Sequence, residues 1–236
     1  MATQCDPESL YPFPNDIVIE DRISAAQYGN DIFEQDVIEQ CLVIWVDGSV
    51  QPYPPTKKAK RLTAAAIRYL DLSSKNWMEL VTLNTLPYGT TFSLEAEMIA
   101  LHEAFRKACE LTNDFDHLLI FSDCQSLLEG IRANSTFSIL SRPDWIVNLL
   151  AYANMLYNLG ITAELRWVPA HSSVEGNERV DELARQSRRA AQFILTQAQR
   201  DINLCHVTIT SSSEELLRQI LLQEAQSESD EQPTTK

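Results

Sequence analysis

The sequence predicts an α/β fold, a five-stranded sheet with helices on its faces. Three observations carry this. CLVIWVDGS (41–49) and HLLIFSD (117–123) are short, unbroken apolar runs that end in Asp, as strands buried on both faces do. SLEAEMIALHEAFRKACEL (93–111) places Leu94, Met98, Leu101, Phe105 and Ala108 at steps of three and four, one stripe of a helix. Strand-like and helix-like segments then alternate to residue 192, the order of a sheet with helices packed on it.

The remaining elements follow in order. RLTAAAIRYLDL (61–72) and WMELVTLNTL (77–86) read as two strands joined by the polar turn SSKN. DCQSLLEGI begins a short helix directly after the 117–123 strand. PDWIVNLLAYANMLYNLG (143–160) is a helix with Pro near its start and Gly at its stop. AELRWVP (163–169) is the fifth strand, and NERVDELARQSRRAAQ (177–192) is the closing helix. Residues 41–192 therefore form the predicted domain. Residues 1–40, with Pro7, Pro12 and Pro14, are read as an acidic extension, mostly extended or loosely packed. Residues 193–236 are read as an acidic tail, with a short helix at 214–225 and a polar, disordered end.

Composition narrows the classes. The 236 residues suit one domain with tails, and 44% apolar residues suffice for a core. No apolar run approaches the roughly 18 residues of a membrane span, and the first residues lack the basic start and apolar stretch of a secretory signal. The expectation is no membrane partner and an intracellular protein of nucleus or cytoplasm. Five scattered cysteines without a CxxC pair fit free thiols in a reducing compartment and indicate no zinc site. The net charge of −14 runs against nucleic-acid binding, but it is uneven: residues 1–40 carry −8, residues 200–236 carry −4, and residues 41–199 carry only −2.

Chemistry is suggested by carboxylates. Asp47 and Asp123 each follow a buried strand, and ligand sites of open α/β sheets gather at strand C-termini. On neighbouring strands the two would lie side by side and repel unless a cation stood between them; their hard oxygens suit Mg2+. Glu97 lies about 60° from Leu94 around its helix, on the shoulder of the apolar stripe, whereas Glu103 lies about 180° away. Asp181 joins them from the first turns of the last helix. Singly, each has an ordinary explanation as a turn, cap, shoulder or helix-dipole acid; only the joint pattern points to a site.

At these residues the sequence resembles the ribonuclease H family, of cellular type I and retroelement kind, over residues 41–190. The motifs are WVDGS (45–49), AEMIAL (96–101), FSDCQSLL (121–128) and WVPAHSSVEGNERVDELAR (167–185). The resemblance implies a ribonuclease H-like fold, a mixed five-stranded sheet with helices on both faces. It implies that Asp47, Glu97, Asp123 and Asp181 are metal ligands and that His171 is a mobile-loop histidine assisting catalysis. Gly48, Ser49 and Asn177 are the expected substrate contacts. The implied activity is endonucleolytic hydrolysis of the RNA strand of RNA–DNA hybrids, leaving 5′-phosphates. Two Mg2+ ions, for which Mn2+ can substitute, would sit about 3.5–4 Å apart, one activating water and one stabilising the leaving oxygen. Asp47 would bridge both.

Some features depart from the family pattern. Ala170 and Ser173 stand where glycine is usual around His171, a change expected to stiffen the loop and slow turnover. The 130–144 region lacks the Lys- and Trp-rich handle that some cellular members use to grip hybrids. Two basic clusters, Lys57/Lys58/Lys60/Arg61 and Arg185/Arg188/Arg189, are candidates for phosphate contacts or simply solvated faces. Trp45, Trp77, Trp145 and Trp167 are assigned to packing, and His102 and His117 to the surface or sheet edge. The alternative function is a retroelement-derived domain, weak or inactive as a nuclease, that binds nucleic acid or protein.

Overall fold

A computed structural model describes residues 13–35, 38–51, 61–86, 92–134, 144–197 and 207–209. The helix expected at 214–225, Lys57, Lys58, Lys60 and most of the handle region lie outside these residues.

The five expected strands are β2 (Cys41–Val50), β3 (Arg61–Asp71), β4 (Asn76–Leu86), β5 (His117–Ser122) and β6 (Thr162–Trp167). β2 pairs antiparallel with β3 and parallel with β5, so the sheet is mixed. The helices are α2 (Phe92–Glu110), α3 (Gln125–Arg132), α4 (Asp144–Asn158) and α5 (Glu175–Gln197).

The sheet is larger than expected. Short strands β1 (Asp16–Val18) and β7 (Val207–Ile209) extend it to seven, in the order β1-β6-β5-β2-β3-β4-β7. β1 runs parallel to β6, and β7 antiparallel to β4. Each cloaks a strand edge that would otherwise expose unpaired backbone groups. Three-residue strands are too short to show alternation in the sequence.

A second correction concerns the described part of the N-terminal extension, residues 13–35, which packs on the sheet. Between β1 and β2 it forms α1 (Arg22–Phe33), capped by Asp21, whose side chain accepts from the Ile23 and Ser24 N–H groups. Ala25, Gly29 and Ile32, at steps of four and three, are the buried stripe of this helix. The stripe is weak because two of its three members are Ala and Gly, while Arg22 and Asp31 lie on the exposed side.

The two faces of β2 build two cores. Leu42, Ile44 and Val46 pack with Met98, Leu101 and Phe105 of α2 and Leu149 and Ala153 of α4. Cys41, Val43 and Trp45 pack with Ile32 of α1 and Val180, Leu183 and Ala184 of α5. Trp45 is wholly buried and stacks on Phe121 at 4.1 Å, in keeping with a packing role.

α4 covers the outer side of α2, so residues 95–105 of that helix are all buried. Glu103, about 180° around the helix from Leu94, is therefore 0% exposed, and the surface placement of His102 is overturned, since it lies against the Trp145 ring at 4.6 Å. Burial pushes the Glu103 carboxyl up, but hydrogen bonds from His102 and Arg106 outweigh it and hold the group below its usual range. No described helix is long and apolar enough to cross a membrane.

Candidate metal centre

Strand register brings the first two carboxylates together. In the parallel pair β2–β5, Val46 lies opposite Ser122, so the residues that follow, Asp47 and Asp123, emerge side by side. Glu97 comes from α2, which crosses β2 at Gly48. The approach is so close that a Cβ on Gly48 would stand 2.5 Å from the Glu97 nitrogen. Carboxylate oxygens of Asp47, Glu97 and Asp123 all lie within 4.8 Å of one another.

This cluster is electrostatically unfavourable when all three groups are ionised. Burial, then the charges of Asp123 and Asp181, push the Asp47 carboxyl up to about 8. Burial and the neighbouring Asp47 hold Glu97 well above its usual value. Burial also raises Asp123, against the opposing hydrogen bond from Asn177 and the charge of nearby His171. The Gly48 backbone N–H favours ionised Asp47 and Glu97, too weakly to reverse the shift.

Asp181, on α5, is half-buried and stands outside the 4.8 Å set, though its charge acts on both Asp47 and Asp123. His171 is exposed, in the loop between β6 and α5. Its φ is 50° and that of Ser173 is 56°, both in the left-handed region; Ala170 is not in that region.

The expected substrate contacts have neighbours within the protein. Asn177, 2% exposed, donates from Nδ2 to Asp123 Oδ2 at 3.1 Å, while its Oδ1 has no hydrogen-bond partner. Ser49 Oγ accepts from Arg188 Nε at 3.0 Å. Of the second basic cluster, Arg188 is thus drawn onto β2, and Arg185 pairs with Glu182 on its own helix.

Some contributors to the site carry little signal in the sequence. The Trp167 indole N–H donates to the Asp123 carbonyl at 3.1 Å and fixes the backbone at that residue. Its place at the strand end, level with Ser122, was the available signal. Gly176 lies so close to Trp45 that a Cβ would come within 2.2 Å of the indole, which accounts for the glycine in the Gly-Asn-Glu segment. The contacts of α1 with the His171 loop were also missed; an Asp cap followed by a four-three apolar spacing could have revealed the helix.

The buried Asp47 and Glu97 and the half-buried Asp123, on two adjacent parallel strands and a helix crossing them, define an acidic site on a mixed sheet that could hold a cation. The sequence profile of the RNase H family matches residues 39–189, and the chain belongs to that family. No curated protein matches the chain. Among solved structures, LC9-RNase H1, a type 1 RNase H with the type 2 active-site motif, is 17% identical, with 66% of this chain and 75% of that one covered and a TM-score of 0.43. LC11-RNase H1 in complex with RNA/DNA hybrid is 15% identical, covering 64% and 99%, with a TM-score of 0.44. The foamy viral protease-reverse transcriptase in complex with dsDNA is 19% identical, covering 62% and 93%, with a TM-score of 0.43.

Proposed function

We propose that this chain is a metal-dependent endonuclease that hydrolyses the RNA strand of RNA–DNA hybrids, leaving 5′-phosphates. The observation that carries the reading is the clustering of Asp47, Glu97 and Asp123 within 4.8 Å in a chain of the RNase H family. The donor set suits hard divalent cations such as Mg2+ or Mn2+, since all the donors are carboxylate oxygens. Glu97 Oε2 is buried without a hydrogen-bond partner, which a cation would relieve.

Asp47, Glu97 and Asp123 would hold the ions, with Asp181 as the fourth ligand. Bound ions would supply Lewis acidity, both to acidify water and to offset charge developing on the phosphate, as in a two-metal site. Asn177 and Trp167 hold the Asp123 side chain and backbone, so this ligand is oriented beforehand. His171 takes or gives a proton at its imidazole and assists without being essential. Ser49 and Arg188 lie next to Gly48 and are suited to a strand of the hybrid, which requires contacts to phosphate and 2′-hydroxyl groups.

The test is cleavage of an end-labelled hybrid with Mg2+ or Mn2+, beside duplex DNA and duplex RNA. The expected result is cuts in the RNA strand of the hybrid alone, abolished by chelator. Cleavage in excess chelator would overturn the metal reading. Binding of the hybrid without cutting in either metal would favour the alternative, a non-cleaving domain. The strained backbone at His171 and Ser173 is the observation on that side.

A further inference from the structure

The loop carrying His171 does not stand alone. α1, which precedes the family-matched residues 39–189, is hydrogen-bonded to it from both ends. Near its first turn, Arg22 donates to Ser172 Oγ at 2.5 Å and to the Ala170 carbonyl at 3.4 Å. Near its last turn, the Asn30 amide makes two bonds. Nδ2 donates to the Ser173 carbonyl at 3.1 Å, and Oδ1 accepts from the Glu175 N–H at 3.1 Å. Glu175 is the first residue of α5, whose N–H groups have no partner within their own helix. Asn30 therefore caps α5 from another helix and spans the residues between His171 and Asp181.

Packing gives these bonds a firm base. Gly29, one residue before Asn30, lies where a Cβ would be 3.0 Å from Val174 and 3.2 Å from Val168, the residues that flank the loop. Tyr28 of the same helix lies against the Arg166 guanidinium at 3.7 Å, at the end of β6 where the loop departs. The loop is thus bracketed by α1 over its whole length, with left-handed residues at His171 and Ser173 between the bracketing points. Two such conformations in residues other than glycine persist only where the surroundings impose them.

We infer that α1 is a clamp on the His171 loop, with Asn30 and Arg22 acting as positioning residues that hold His171 beside Asp123. The catalytic part of this inference rests on the proposed role of His171; the structural part does not. Both bonds at Arg22 and the Asn30–Ser173 bond are solvent-exposed, whereas the Asn30–Glu175 bond is part-buried, so Asn30 carries the better shielded contact. Neither residue touches the carboxylate cluster, so any effect on cleavage must pass through the loop.

The experiment uses the full chain. Amide hydrogen exchange at Glu175 is compared in the parent, Asn30→Ala and Asn30→Asp. The Asp variant keeps the oxygen that accepts from Glu175 N–H. The expected result is severalfold faster exchange in Asn30→Ala and near-parent exchange in Asn30→Asp. Hybrid cleavage under multiple turnover is then measured for Asn30→Ala, alone and combined with His171→Ala. Asn30→Ala should slow cleavage severalfold in the parent and change nothing once His171 is gone. A ring NMR signal of His171 that broadens in Arg22→Ala supports the same clamp, and this exposed position tests it should Asn30→Ala not fold. Parent-like exchange at Glu175 in Asn30→Ala, an unchanged His171 signal in Arg22→Ala, or an equal rate loss with and without His171 would each overturn the clamp. If the parent cuts no hybrid, the proposed function fails, and exchange with the ring signal alone decides the clamp.

Discussion

Gly48 and Glu97 are in backbone contact: a Cβ added to Gly48 would lie 2.5 Å from the Glu97 nitrogen and 2.5 Å from the Ala96 carbonyl carbon. The absence of a side chain at one residue of β2 thereby sets the position of a carboxylate on α2. The obstructing atoms are backbone and cannot swing aside, so α2 as a whole must move. Gly48→Ala is expected to cost about 3 kcal/mol or more, at or above the upper end for overpacking. It should also weaken cation binding, because Glu97 is carried away from Asp47. Chemical denaturation and metal titration of the variant check both; parent-like values in both would show that the crossing is tolerant.

Asp47→Asn should abolish cleavage while leaving the circular dichroism spectrum unchanged. Its stability without metal has a defined pH dependence. In the folded chain the Asp47 carboxyl is pushed up to about 8 from its usual 3.8. Between those values the folded protein keeps a proton that the unfolded chain has lost, so stability falls as pH rises through the window. Asn does not titrate. The Tm of Asp47→Asn should therefore match or exceed the parent's at pH 8, and its advantage should shrink towards pH 4. A variant that melts below the parent at pH 8 in chelator would contradict this sign.

Cation binding should stabilise the parent most at the upper end of this pH window, where Asp47 and Glu97 give up their protons most readily. A ligand at a hundred times its Kd adds about 2.7 kcal/mol. Mn2+ or Mg2+ should raise Tm at pH 8, with reversal by chelator and a much smaller gain in Asp47→Asn. Binding must also release protons held by Asp47 and Glu97. Calorimetric titration in two buffers of different ionisation enthalpy measures that release, and equal heats in the two would refute it.

Ala170 and Ser173 were grouped as positions where glycine is usual, and the structure separates them. Only Ser173 has a positive φ, 56°. A left-handed conformation costs a non-glycine residue about 1–2 kcal/mol, against about 0.4–1 kcal/mol of extra chain entropy that glycine brings to the unfolded state. Ser173→Gly should stabilise by roughly 0.5 kcal/mol, while Ala170→Gly should destabilise by about as much. Thermal melts of the two variants test the opposite signs.

Removing residues 1–34 should destabilise the chain. Ala25, Gly29 and Ile32 are buried against the α5 side of the sheet, and Trp45 would lose its contact with the helix. The loss is expected to be about 3 kcal/mol or more, from the burial of Ile32 and its neighbours. Urea denaturation followed by tryptophan fluorescence measures it. A truncated chain as stable as the parent would mean that α1 merely rests on the surface.

The sequence by itself determined the five main strands, the four helices packed on them, and the carboxylates of the site. Unbroken apolar runs and a repeat of three and four residues are local signals, and Asp47 and Asp123 stand where such runs stop. It also located Glu97 beside an apolar stripe. What it could not supply were distances between chain segments. That Asp47, Glu97 and Asp123 converge within 4.8 Å while Asp181 stays outside depends on the β2–β5 register and on the closeness of Gly48 to α2. His102 is buried rather than at the surface because the burial of a helix face depends on what packs over it, and α4 is distant in sequence from α2. The role of α1 was hidden for the same reason. Arg22 and Asn30 find their partners more than 140 residues along the chain, where only tertiary packing brings donor and acceptor within hydrogen-bond reach.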